Sequence, residues 1–245
     1  MQTYVNSYYA ATRNQTTDYP QLEELVECDV CVIGAGYTGL SSALFLAEAG
    51  YSVTVLEAAK VGFGASGRNG GQLVNSYSRD VDVIEERYGE KSAEVLGSMI
   101  FEGADIIRQR IQHYDIQCDY RPGGIFAALN NKQLNGLAEQ KRNWERLGNN
   151  NLKMLDKAQI DREVGTKNYI GGLLDMQGGH IHPLNLALGE AAAVESLGGI
   201  IYEQTPAVRI ERGANPVVHT PQGKVRAKFI IVAGNAYLGL SLIHI

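Results

Sequence analysis

The chain is poor in the residues that mark several other classes of protein. Among 245 residues there are three cysteines and one tryptophan, and 22 lysines and arginines stand against 27 aspartates and glutamates. The formal net charge of −5 gives no general attraction to phosphate backbones, so we expect no nucleic-acid partner. Three cysteines without a framework spacing favour a reducing compartment, which predicts a cytoplasmic protein.

Long hydrophobic runs are also absent from the sequence. No apolar stretch approaches the roughly 20 residues that span a bilayer, and the first residues lack the basic-then-apolar order of a secretory signal. We therefore expect no membrane span. The hydrophobic content of 44% and the charged content of 20% are typical of a globular protein with one large or two modest domains.

Two motifs overlap in residues 28–39, which read CDVCVIGAGYTG. Cys28 and Cys31 form a C-x-x-C, a pattern found in metal sites and redox disulfides. The β-branched run around them predicts a buried strand, in which side chains at positions i and i+3 point to opposite faces. Cys118 stands alone, and no histidine spacing completes a zinc site. We therefore expect no metal, and we interpret the cysteines as small residues of a strand.

The glycines of the same segment predict a dinucleotide site. Gly34, Gly36 and Gly39 form a G-x-G-x-x-G, followed by an apolar helical pattern and by a second strand that ends at Glu57. In such a unit the first glycine permits a tight turn, the second lets the backbone approach a pyrophosphate, and the third allows close helix–strand packing. The helix N-terminus attracts phosphates. Glu57, 18 residues beyond the last glycine, has the spacing of the acid that binds ribose hydroxyls.

Residues 61–72, VGFGASGRNGGQ, separate two classes of dinucleotide enzyme. They contain five glycines in twelve positions and follow the acid almost at once. A nicotinamide-dependent dehydrogenase would continue with another helix and strand, whereas a glycine-rich loop lets the backbone lie along a longer cofactor. Ser66, Arg68 and Asn69 are polar anchors in this interpretation. The alternative is a surface loop, because glycine and asparagine often simply mark turns.

These motifs together resemble a known family. Residues 28–80 look like the N-terminal half of the D-amino-acid-oxidase/glycine-oxidase superfamily of FAD enzymes. Within it the chain is similar to the gamma-glutamylputrescine oxidoreductases, including the leader SYYAAT and the phrase GGQLVNSYSRD, from about Ser7 to Gly239. The resemblance implies an α/β fold (α+β overall), in which an FAD-binding Rossmann-like βαβ domain accompanies an antiparallel-sheet substrate domain. It also implies a C-terminal truncation, since LSLIHI does not resemble the residues that come after GNAYLG in relatives.

The resemblance assigns residues to the cofactor. Glycines of the turn would contact the FAD pyrophosphate, Glu57 the adenosine ribose, and the backbone of Val208 the adenine. The loop 65–72 would run past the pyrophosphate toward the isoalloxazine ring. The complete expected set is Gly34, Gly36, Tyr37, Thr38, Gly39, Glu57, Ala58, Ala65, Ser66, Arg68, Asn69, Gly70, Gly71, Gln72, Val208, Ala233 and Gly234.

Composition, pattern and resemblance divide the chain into five expected parts. These are an N-terminal extension (1–27), a first FAD-binding part (28–75), a substrate-domain part (76–170), a second FAD-binding part (171–239) and a short non-native tail (240–245).

Local patterns predict the elements beyond the glycine motif. We expect one long amphipathic helix over 80–116, a strand within 118–130 and a helix over 131–148 with Trp144 on its inner face. The pattern of residues 206–227 predicts a meander, and that of residues 228–239 predicts a buried strand. His180 and His182 lie two apart without a carboxylate partner. We interpret them as the structural entry to a helix that starts at Pro183, since proline fits the first helical turn.

The resemblance implies an activity. The expected reaction is FAD-dependent oxidation of a primary amine like gamma-glutamylputrescine to an aldehyde, with release of ammonia and hydrogen peroxide. The partners would be a small-molecule amine and oxygen as electron acceptor, and no side chain is an evident general base. The alternatives are oxidation of another amine or amino acid such as glycine or sarcosine, a nicotinamide-dependent dehydrogenase, and a fragment that binds FAD without catalysis.

Overall fold

A computed structural model of the protein describes residues 3–77 and 81–237. Seven α-helices and ten strands lie in these ranges. The helices are α1 (Tyr8–Ala11), α2 (Tyr37–Glu48), α3 (Val81–Tyr88), α4 (Glu90–His113), α5 (Asn131–Arg146), α6 (Lys157–Val164) and α7 (Pro183–Ser196). The strands are β1 (Leu25–Ile33), β2 (Val53–Leu56), β3 (Gln72–Leu73), β4 (Arg121–Ala128), β5 (Leu152–Leu155), β6 (Gly171–His180), β7 (Ile200–Tyr202), β8 (Arg209–Glu211), β9 (Val217–His219) and β10 (Lys224–Val232).

The chain forms two compact units, each built from separated segments. Among the described residues, the first unit takes 3–70, 113–118 and 182–237, and the second takes 71–77, 81–112 and 119–181. None of the helices in the described ranges combines the length and hydropathy of a bilayer-crossing segment. The tail expected at 240–245 lies outside the described residues.

The first unit is built on a six-stranded sheet in the order β7–β2–β1–β10–β9–β8. The first four strands are parallel, and β10, β9 and β8 form the predicted antiparallel meander. β1, α2 and β2 make the predicted βαβ unit, and α7 then leads into β7, which pairs with β2. With the antiparallel sheet of the second unit, this arrangement confirms the expected fold class.

Apolar side chains cover both faces of the parallel strands. On one face β1 and β2 pack with α2 and α7, through the buried residues Val30, Val32, Leu40, Leu44, Val53, Val55, Leu184 and Leu188. The other face has a second cluster, of Leu22, Cys31, Ile33, Leu56, Val218, Val225 and Ala227. Because burial of each large aliphatic side chain contributes about 1.5–3 kcal/mol, these two clusters hold the βαβ unit together. Residues 3–22, the N-terminal arm, contribute Leu22 to the second cluster.

The alternation expected at the two cysteines of β1 is wrong. Cys28 and Cys31 pack against the same cluster, and a charge on Cys28 adds to the burial that raises the pKa of Cys31. The change of face falls at Asp29, although the pairing of β1 with β10 keeps the same register on both sides of it. There the N–H groups of Asp29 and Val30 both donate to Ser52 O, at 3.0 and 3.1 Å. Before this point Val26 and Cys28 pack against the second cluster, and after it Cys31 and Ile33 do.

β10 is buried only in its first half, which corrects the buried strand expected over 228–239. Val225 and Ala227 are buried, whereas Phe229 is 65% and Val232 45% exposed. The reason is that α2 and α7 pack over β1, β2 and β7. The strand itself ends at Val232.

The second unit is centred on β6. β4 pairs with it along one side, and β5 and β3 pair along the other, all antiparallel. Residues 171–181, which the sequence analysis assigns to the second FAD-binding part, therefore belong to this unit, because strands of the unit bond β6 on both sides.

The helices of the second unit follow the predicted pattern with one break. The long helix expected over 80–116 is divided into α3 and α4 by Gly89, whose φ of +83° ends the first helix. The helix predicted from residue 131 is α5, and Trp144 on it is buried as expected. The indole packs edge-on against Phe101 and Phe126.

Candidate functional site

A cavity of about 250 Å³ lies in the first unit, where β1, β2 and β10 reach their carboxyl ends. This is the edge of a parallel sheet at which ligands of α/β proteins bind. The lining residues are Ile33, Gly34, Gly36, Tyr37, Thr38, Leu56, Glu57, Ala58, Ala59, Phe63, Gly64, Ala65, Ser66, Pro206, Ala207, Ala233, Gly234, Asn235 and Tyr237.

The turn after β1 requires glycine at two positions. Gly34 has a φ of +107°, and a Cβ there would lie 2.7 Å from the carbonyl oxygen of Ala233. A Cβ on Gly39 would lie 1.8 Å from the carbonyl oxygen of Gly34. The first contact lets the loop after β10 approach the turn, and the second lets α2 start directly against it.

The N-terminus of α2 faces the cavity. Gly36 is its N-cap residue and has no side chain with which to cap the helix. The first helical N–H, of Tyr37, donates to Ser66 Oγ at 3.0 Å, and a Cβ on Gly36 would lie 2.9 Å from that oxygen. Tyr37 and Thr38 line the cavity, so the positive end of the helix dipole is directed at it. This arrangement favours an anionic group.

Glu57 connects the glycine turn to the loop after β2. Its Oε2 accepts the N–H of Ala35 and its Oε1 the N–H of Ala59, each at 2.8 Å. An ionised carboxylate offers about four acceptor positions, so both oxygens keep capacity for hydroxyl donors. Burial raises the pKa of Glu57, and the backbone N–H bonds oppose that rise.

The glycine-rich loop is only partly at the cavity. Ala65 and Ser66 line it within a short 3-10 turn. The side-chain amide of Asn69 donates to both of their carbonyl oxygens, at 3.2 and 2.9 Å, and so supports the turn without lining the cavity. Gly70 is likewise outside the lining.

Arg68 stands at the rim of the cavity and does not line it. Its guanidinium donates to Gly64 O at 3.2 Å and to Tyr237 Oη at 2.6 Å. It also lies 4.9 Å over the ring of Phe63. Arg68 therefore holds together three residues that do line the cavity.

Three other expected residues lie elsewhere. Gly71 and Gln72 belong to the second unit, where Gln72 pairs with β6. Val208 is 62% exposed, and its N–H donates to His219 O at 2.8 Å. Its neighbours Pro206 and Ala207 line the cavity in its place.

Several residues of the lining are not in the set predicted from the sequence. Phe63 and Gly64 lie within the glycine-rich segment 61–72, so their position in the sequence could have indicated that they line the cavity. Pro206, Ala207 and Tyr237 come from loops after β7 and β10, more than 140 residues away along the chain, and no local pattern marks them.

The histidine pair has the structural surroundings that the sequence indicated. His182 is the N-cap of α7, where its Nδ1 accepts the N–H of Asn185 at 3.1 Å and Pro183 follows. His180 ends β6. Among the described residues no group of three or more histidine, cysteine, aspartate or glutamate side chains could hold a metal ion.

The chemistry of the lining fits a dinucleotide. Three features meet at one cavity. They are a glycine turn without room for a Cβ, a helix N-terminus whose N-cap residue is glycine, and a half-buried carboxylate. They supply, in that order, close backbone approach, N–H donors for phosphate and acceptors for ribose hydroxyls.

A family profile and a curated relative match most of the chain. The profile described as FAD dependent oxidoreductase, DAO, matches residues 29–244. The gamma-glutamylputrescine oxidoreductase of Escherichia coli (strain K12) is 60% identical over 239 residues, which are 98% of this chain and 56% of that protein. The chain thus spans about half the length of this relative.

Two solved structures share the fold. Glycine oxidase from Geobacillus kaustophilus superposes with a TM-score of 0.69 at 21% identity, over 86% of this chain and 56% of that one. The L-alpha-glycerophosphate oxidase of Mycoplasma pneumoniae, solved with FAD bound, gives a TM-score of 0.64 at 18% identity, over 83% of this chain and 53% of that one.

Proposed function

The chain belongs to the DAO family of FAD-dependent oxidoreductases, and from this premise we propose that its protein oxidises a primary amine related to gamma-glutamylputrescine. The observation that carries the proposal is the 60% identity to the Escherichia coli gamma-glutamylputrescine oxidoreductase over almost the whole chain. The cavity at the ends of β1, β2 and β10 supports it with a lining suited to the family's cofactor.

We assign the parts of FAD to residues of the first unit. The N–H groups at the start of α2 would hold the pyrophosphate, and Glu57 would accept hydrogen bonds from the adenosine ribose. Pro206 and Ala207 would border the adenine, next to Val208. The turn at Ala65 would direct the cofactor toward the loop that runs on to residue 72.

The reaction balances as a two-electron oxidation. The cofactor, when bound, supplies the electron acceptor; the chain's own residues bind it, orient it and keep water from it. The amine R–CH₂–NH₂ gives up two electrons and two protons to become an imine, which water converts to aldehyde and ammonia. Oxygen takes up those electrons and protons and leaves as hydrogen peroxide.

We also propose that the protein is located in the cytoplasm.

A direct test measures cofactor and turnover on the same sample. The purified chain is supplied with FAD, cleared of unbound cofactor and examined by visible absorption, and it is then offered gamma-glutamylputrescine, putrescine, glycine and sarcosine. We expect retained flavin bands and bleaching by gamma-glutamylputrescine without oxygen. Flavin bands with bleaching only by glycine or sarcosine would contradict the substrate assignment. A folded, colourless chain would contradict the binding assignment.

A second candidate function is binding of FAD without catalysis. The observation that favours it is coverage, because the chain spans 56% of the length of its Escherichia coli relative. In that case the flavin bands are retained and none of the four amines bleaches them.

A further inference from the structure

A second acidic side chain lies behind the loop of residues 57–61. Glu203 follows β7 and has no exposed surface. Its Oε1 accepts the N–H of Val61 at 2.7 Å and the hydroxyl of Thr17 at 2.9 Å, while its Oε2 accepts Lys60 Nζ at 2.7 Å. Three donors, one of them a cation, therefore meet on one buried carboxylate.

The backbone beside this carboxylate pairs with the same loop. The N–H of Thr205 donates to Glu57 O at 2.8 Å, and the N–H of Gln204 donates to Ala59 O at 2.9 Å. Together with the bond to the Val61 N–H, these contacts tie the loop at every second residue. The bond at Val61 is the one that depends on a side chain, since its acceptor is a carboxylate oxygen.

The N-terminal arm bonds the loop as well. Tyr4 Oη donates to Val61 O at 2.7 Å, and Lys60 Nζ donates to Thr17 O at 3.0 Å. Burial, assisted by the charge of Glu203, raises the pKa of Tyr4 to about 12, so the phenol keeps its proton at neutral pH. The arm and the loop thus share Glu203 as a common acceptor.

We propose that Glu203 is a positioning residue that fixes residues 57–61 so that the Glu57 carboxylate stays at the ribose of bound FAD. The inference rests on the proposed function, because Glu57 meets ribose only if the cavity holds FAD. Its route is short: Glu57 Oε1 is bonded to the N–H of Ala59, inside the span that Glu203 fixes. Movement of that span therefore reorients the carboxylate, although Glu203 itself does not line the cavity.

The test is a double-mutant cycle on the affinity of the complete chain for FAD, measured by flavin fluorescence. We expect Glu203→Gln to weaken binding about 10-fold, in line with the coupling of residues in one hydrogen-bond network. In a Glu57→Gln background the same change should weaken binding less than about 2-fold. A merely structural role would give the same loss in both backgrounds.

Matched variants complete the experiment. Glu195→Gln removes one carboxylate from an exposed position of the same unit and should leave FAD affinity unchanged. If Glu203→Gln fails to fold, Thr17→Val removes a single bond to Glu203 and should show the same non-additivity with a smaller loss. Equal losses of FAD affinity in the two backgrounds would overturn the positioning role of Glu203 and leave the proposed function standing. Absence of FAD binding by the unchanged chain overturns both this inference and the proposed function.

Discussion

The loops that follow β2 and β7 each carry a glutamate, and their surroundings differ in one respect. Both oxygens of Glu57 accept a backbone N–H and still face a cavity. Glu203 is fully buried, and its oxygens are engaged by Lys60, Val61 and Thr17. Satisfied acceptors in the interior hold structure together, whereas acceptors with spare capacity at a cavity are available to a ligand. The position of unused hydrogen-bonding capacity therefore separates the two roles better than burial does.

The largest expected effect comes from filling the tight turn after β1, whose Ala35 N–H is bonded by Glu57. Gly39→Ala would put a Cβ 1.8 Å from Gly34 O, and backbone at that distance cannot give way. We expect loss of FAD binding by more than about 100-fold, or loss of folding. FAD titration measures the loss of binding, and thermal unfolding measures the loss of folding. The control is Gly136→Ala on α5, which has open space around it and should gain up to about 1 kcal/mol; a tolerated Gly39→Ala would contradict the geometry.

Exchanging each carboxylate for an amide sharpens the comparison. Glu57→Gln should lower FAD affinity by about 10–100-fold, because hydrogen bonds to a charged acceptor contribute about 1.5–3 kcal/mol. Its free energy of unfolding should fall by about 1 kcal/mol, less than that of Glu203→Gln, because the half-buried Glu57 carboxylate faces the cavity although it bonds the Ala35 and Ala59 N–H groups. Glu203→Gln should instead lower that free energy by about 1–3 kcal/mol, because Lys60 and the Val61 N–H lose their charged acceptor. Urea unfolding of the two variants measures both free energies. Equal losses of stability would contradict the distinction between a ligand-binding and a structural glutamate.

The pH dependence of FAD binding tests the same site. Burial raises the pKa of Glu57, and ribose hydroxyls donate to its ionised form, so binding releases a proton from the protonated carboxyl. FAD affinity should therefore be constant above this raised pKa and fall by up to about 10-fold per pH unit below it. Fluorescence titrations from pH 8 to 4.5 measure the slope. The slope should be absent in Glu57→Gln; an unchanged slope in that variant would assign the proton to another group.

The smallest expected effect is at the rim. Arg68→Lys keeps the charge but loses the planar group that bonds Gly64 O and Tyr237 Oη while lying over Phe63. We expect FAD affinity to fall about 3-fold, a change of less than 1 kcal/mol. Isothermal titration at one salt concentration resolves it. A loss above about 30-fold would mean that the guanidinium contacts the cofactor directly.

The sequence predicted those parts of the fold and site that depend on neighbouring residues. The turn at Gly34, the start of α2 and the acid after β2 follow from spacing within one βαβ unit, and FAD follows from the family that those motifs indicate. Pro206, Ala207 and Tyr237 reach the cavity only through the order of strands in the sheet. No periodicity encodes that order, so pattern alone left them out.

The errors have the same origin. The change of face at Asp29 coincides with two N–H groups, of Asp29 and Val30, that share the carbonyl oxygen of Ser52, a partner on the approach to the next strand. The assignment of β6 to the second unit depends on pairing with β4, β5 and β3, whose sequences are distant from it and from one another. Local alternation could not report either contact.

The place of β10 in the sheet has a consequence for how the chain is made. Cys28 of β1 is paired with Ala227 of β10, almost 200 residues later, whereas β6 finds all its partners between residues 72 and 180. During synthesis the second unit can therefore complete its sheet while the first still waits for a strand. Pairings of such long sequence separation form slowly and leave a strand edge open to other chains in the meantime. Yield from cells should accordingly respond to growth temperature and chaperone supply more than to substitutions within the second unit.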